Sequence, residues 1–98
     1  MPEYYTTHSV VAELKDGRVI AKAAYTEVKA SGTVNVVVRI PDLREVESIL
    51  DVKFSSNPDI SISHDMDHKI TGNVVGFTVY TLSAGTTLTS EVIAIGPP

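Results

Sequence analysis

The stretch "TVNVVVRI" (33–40) alternates without a break: Val34, Val36, Val38 and Ile40 fall on one side, Thr33, Asn35, Val37 and Arg39 on the other. A period of two places alternate side chains on opposite faces of an extended chain, and a helix of the same residues would scatter its apolar positions. Pro41 ends the run, because proline has no amide to give to a ladder. This segment is therefore read as a strand with one face towards a core.

Neighbouring segments repeat the pattern. Upstream, "HSVVAEL" (8–14) leads into Lys15-Asp16-Gly17-Arg18 and then "RVIAKAAYTEV" (18–28), where Val19, Ala21, Ala23 and Tyr25 share a face. Asp-Gly is a strong hairpin signal, since both residue types tolerate turn backbone angles. "KASG" (29–32) turns the chain again. Downstream, "PDLREVES" (41–48) opens like a helical turn near 42–47 with Asp42 as its cap. The helical spacing then gives way to Val46, Leu50, Val52 and Phe54 at strand period over 46–55. "ISIS" (60–63), "NVVGFTVYTL" (73–82) and "LTSEVIAI" (88–95) complete the series.

In 73–82 both faces are apolar, which predicts a central strand covered on two sides, entered by a tight Gly72-Asn73 reversal. Gly76 within it suggests a bulge or a close approach of backbone. About seven short antiparallel strands, with a turn every 8–12 residues, predict an all-β fold: a small β-sandwich or partly closed barrel. Its expected limits are a single domain over 8–96 and a flexible N-terminal tail over 1–7.

Composition agrees. Of 98 residues, 14 are valine and 10 threonine, both stiff at χ1 and both favouring strands. The absence of cysteine excludes disulfides, thiol catalysis and thiolate metal sites. A net charge of −4 with dispersed basic residues argues against a nucleic-acid partner. Nothing approaches the length of an apolar membrane span, and "MPEYYTTHSVV" (1–11) lacks the basic start and apolar run of a secretory signal. These features predict a soluble protein of the cytoplasm or of a virion. A mean hydropathy of +0.11 is high for so small a domain and hints at self-association.

The segment "HDMDH" (64–68) is the densest gathering of ligand-type side chains. His64, Asp65, Asp67 and His68 are the candidate metal ligands, and a divalent cation is the one cofactor the sequence suggests. The competing reading is a polar hairpin connection whose aspartates bond local amides. Asp65-x-Asp67 begins like a calcium loop, yet the glycine and distal glutamate of such a loop are missing.

Catalytic candidates are weaker. No G-x-S-x-G elbow presents a nucleophile, and Glu45 with Glu47 reads as a solvated carboxylate pair. "SAGTT" (83–87) lacks the lysine and following helix of a phosphate cradle. No enzyme signature emerges. Tyr4 and Tyr5 either pack back on their own domain or dock on a neighbour, tyrosine being favoured at interfaces. With Ser83, Thr86 and Thr87 they are the candidate contact residues.

Residues 70–96, "ITGNVVGFTVYTLSAGTTLTSEVIAIG", and the segment "VRIPDLREVESILDV" (38–52) resemble small β-sheet proteins encoded among virion genes of tailed phages, prophages and archaeal viruses. The shared features are a Gly-Asn strand start, a "TVY" strand, a threonine- and alanine-rich loop and a last strand closing on glycine. That resemblance implies a non-enzymatic head, tail or decoration component. Such a protein acts through homo-oligomeric β-sheet contacts, with itself and other virion proteins as partners, and it carries over no site residue.

Overall fold

A computed structural model describes residues 4–29, 32–57, 63–64, 69–82 and 86–98. The chain is all-β, with strands β1 (Thr7–Glu13), β2 (Val19–Lys29), β3 (Gly32–Arg39), β4 (Ser48–Asn57), β5 (Ser63–His64), β6 (Lys69–Thr71), β7 (Val74–Leu82) and β8 (Thr86–Gly96). They form two antiparallel sheets: β1-β2-β8-β4, and β3-β7-β5 with β6 also paired to β7. The sheets do not close into a barrel, so the sandwich alternative holds.

The alternation read from the sequence sets the core. Val19, Ala21 and Ala23 of β2 and Leu88, Val92 and Ala94 of β8 face Val36, Val38, Val75, Phe77 and Val79 of the second sheet. Phe54 of β4 meets Phe77 edge-on across the gap, with ring centroids 5.6 Å apart. Small residues on β2 opposite larger ones let the layers approach to interior density. Ser90 is also buried in this core, and its hydroxyl has no hydrogen-bond partner among the described residues.

Both glycine turns adopt the backbone their residues favour. Gly17 has φ 93°, and its amide donates to the Leu14 carbonyl at 3.1 Å, so Lys15 and Asp16 make a turn closed by a left-handed glycine. Gly72 has φ 60° and, with Asn73, joins Thr71 directly to its partner Val74.

No helix forms among the described residues, and the helical turn expected near 42–47 is absent. Pro41 and Asp42 make a simple turn, with the Leu43 amide on the Ile40 carbonyl. The chain then crosses the open end of the sandwich. Leu43 and Val46, spaced as in a helix, both plug the core. Tertiary bonds replace helical ones: the Arg44 amide donates to the Pro97 carbonyl, the Val46 amide to Gly72, the Glu47 amide to Ile95, and Asn73 Nδ2 to the Leu43 carbonyl. Amides bonded outside the segment are unavailable to a helix, so propensity is overridden.

β7 is central in its sheet as expected, but only its inner face is covered among the described residues. Val74, Gly76 and Thr78 on its outer side remain half exposed. No bulge occurs at Gly76, whose partners Val37 and Lys69 stay in register.

Candidate functional site

β1 is the long strand least covered by its own chain among the described residues. It pairs with β2 along its length, and every one of its residues is exposed. The register explains why. Val10 lies opposite Ala21 and His8 opposite Ala23, so both side chains share the face of the buried alanines. The facing sheet is narrower, because β5 and β6 both pair with the same edge of β7 and add one strand's width between them, and β1 overhangs it. Val10 thus stays 46% exposed on a core-directed face, and Val11, the extra residue of a bulge, is 55% exposed.

The overhang is propped at one end. Tyr5 stacks edge-on against His8 with centroids 5.0 Å apart, and His8 Nδ1 lies 2.8 Å from Asp42 Oδ2 on the crossover. Tyr4 sets its ring against Tyr25 of β2 while its carbonyl accepts the Arg39 amide of β3. The Thr6 amide donates to the Ala24 carbonyl, and the Thr26 amide to Thr6 Oγ1. Tyr4 and Tyr5 therefore pack on their own chain and bridge the two sheets, with β1 starting at Thr7. At the other end, Asp16 accepts from the Arg18 amide and from its Nε, and Arg18 reaches Glu47 at 3.6 Å. Those bonds hold the Asp16 carboxyl below its ordinary value and raise the guanidinium further.

The two edges of the larger sheet differ. β4 carries exposed Asp51 and Lys53, charges that discourage strand addition. β1 reads "THSVVAE", with no lysine, arginine or proline to guard it. Its guards are the bulge and Glu13 at its far end, which leave Thr7–Val10 as a regular run.

The other sequence candidates fall elsewhere. Asp65, Asp67 and His68 lie outside the described residues, as does Ser83; His64 is placed only by its backbone, opposite Val79. Among the described residues no group of three or more histidines and carboxylates converges on a metal position. Thr86 and Thr87 pair with Lys29 and Val28, and Thr87 is half exposed. Glu45 and Glu47 are both exposed, on the crossover and not on a strand. His8–Asp42 is a histidine–carboxylate pair, yet among the described residues no hydroxyl is hydrogen-bonded to it.

Sequence reasoning missed β1 as a site, since the signal is negative: a strand with no Lys, Arg, Asp or Glu before its last residue, visible only once sheet widths are known. Comparison with protein-family models, with curated proteins and with solved structures finds no match in any of the three.

Proposed function

We propose that this protein is a non-enzymatic assembly module that forms homo-oligomers through the β1 edge. The observation that carries this reading is the full exposure of β1 despite a core-directed valine at its centre. A second copy laid along Thr7–Val10 would add main-chain hydrogen bonds to the open edge and cover Val10 and Val11. An antiparallel pairing of two β1 strands is isologous, so it forms a closed dimer with no further edge on that side. It also brings no like charges together, because the run holds none. The setting implied by the resemblance of residues 38–52 and 70–96 is a virion or prophage-derived particle, in which such contacts build a head, tail or decoration layer.

The chain has no cysteine, so one introduced thiol reports a single position. Ser9→Cys on β1 should give a disulfide-linked dimer under mild oxidation, and Lys53→Cys on β4 should not. Equal crosslinking at both positions, or none at Ser9→Cys, would refute assembly through β1.

A further inference from the structure

Glycine in the middle of a central strand carries a cost, because it has more backbone freedom to lose and no side chain to pack. Gly17 and Gly72 have left-handed angles that justify it, and Gly76 does not. Nor is Gly76 crowded. Among the described residues a Cβ there would meet only the Lys69 and Val36 carbonyl oxygens, both at 3.9 Å, an ordinary contact. Neither conformation nor packing within the chain asks for glycine.

Over Gly76 lies a depression of about 290 Å³ on the outer face of the smaller sheet. Its floor is the Gly76 backbone. Val37 and Lys69, the two cross-strand partners of Gly76, stand on opposite sides, and Thr78 with Asn35 closes one end. Thr78 Oγ1 donates to Asn35 Oδ1 at 3.4 Å, which turns the hydroxyl's lone pairs outward as acceptors. Among the described residues, charge on this face is one-sided. Lys69 and Arg39 are exposed and form no ion pair among the described residues, and the face carries no acid among them. That is notable on a chain of net charge −4.

We infer that the depression over Gly76 is a binding site for a small hydroxycarboxylate. Its carboxylate sits on the Lys69 ammonium, its hydroxyl donates to Thr78 Oγ1, and its carbon skeleton lies on the bare Gly76 backbone against Val37. A cation, an acceptor and an apolar floor in one concavity make the mixed lining of small-ligand sites, at the lower end of their usual volume. The inference does not rest on assembly through β1, which lies in the other sheet.

Lactate is the probe. Titrated into the ¹⁵N-labelled full chain, it should shift the Gly76 and Val37 amide resonances saturably, and sodium chloride at equal concentration should not. Lys69→Gln should weaken binding about tenfold, the size of one charge-assisted bond. Gly76→Val, which covers the floor on which the carbon skeleton lies, should abolish it. Gly76→Ala should melt about 3 °C above the parent chain, because the fold does not need the glycine. Shifts that never saturate, shifts reproduced by chloride, affinity unchanged in Lys69→Gln, or a lower melting point for Gly76→Ala would each overturn the site. Lys69 is exposed at a strand end, so its substitution tests binding even if Gly76→Val fails to fold.

Discussion

Gly96→Ala is the sharpest test of how the sandwich is closed. Gly96 ends β8 beneath the crossover, and a Cβ built there collides with the carbonyl oxygen of Glu45. It would also stand 3.2 Å from the Glu45 carbonyl carbon and 3.5 Å from the Glu47 nitrogen. All three atoms are backbone, so no side chain can swing aside. Relief requires the crossover to move by on the order of 1 Å, enough to break hydrogen bonds of ordinary length. The Arg44 amide to Pro97 carbonyl bond, 2.8 Å, and the Glu47 amide to Ile95 carbonyl bond, 2.9 Å, flank the glycine and would go first. At about 1 kcal/mol each, with about 1–3 kcal/mol for overpacking, the substitution should cost roughly 3–5 kcal/mol. For a domain of this size that lowers the melting temperature by about 15–25 °C. Thermal unfolding followed by far-ultraviolet circular dichroism measures it, with Gly76→Ala as the same chemical change in open space. A Gly96→Ala chain melting within about 3 °C of the parent would refute the described closure.

Three other substitutions probe separate parts of the fold. Ser90→Ala removes a buried hydroxyl with no partner and should leave stability unchanged or raise it by about 1 kcal/mol in urea unfolding; a loss of that size would show the hydroxyl to be satisfied. Asp16→Asn tests the turn. Its folded-state pKa lies below the ordinary 3.8, so the carboxylate's stabilisation is complete above that value and fades as pH falls through the depressed one. The melting-point gap between parent and Asp16→Asn should therefore be constant from neutral pH down to about 5 and close only in stronger acid, and closure above that would contradict the assignment. Deleting residues 1–6 removes the Tyr4 carbonyl's bond to β3, which bridges the sheets, and the Thr6 bonds to β2, and should cost about 2 kcal/mol in urea unfolding; an unchanged midpoint would show those bonds to be dispensable.

Much of this architecture was legible residue by residue. The alternation in 33–40 and 19–25 gave the buried faces of β3 and β2, and the Asp16-Gly17 and Gly72-Asn73 pairs located two turns. What failed did so for tertiary reasons. Leu43 and Val46 stand three apart and follow a capping-type aspartate, which is a helical pattern, yet their spacing serves to plug an open end and their amides bond other strands. β6 is three residues long, too short for periodicity to register. The apolar outer residues of β7 suggested a second covering layer because an apolar face, taken alone, does not say whether its partner belongs to the same chain. The exposure of β1 was invisible for the opposite reason. Val10 has a core residue's type and a core residue's direction, and only the narrower facing sheet leaves it bare.

The central claim is that the β1 edge holds copies of this chain together. Light scattering across a concentration series, on the parent chain and on the Val10→Lys, Val11→Lys double variant, tests it directly. Both side chains are exposed, so the double substitution should leave the melting temperature of the fold within a few degrees. The account predicts an oligomer for the parent, indifferent to chelator, and a monomer for the variant. A parent chain that is monomeric at every concentration, or a variant that assembles as tightly as the parent, would contradict it.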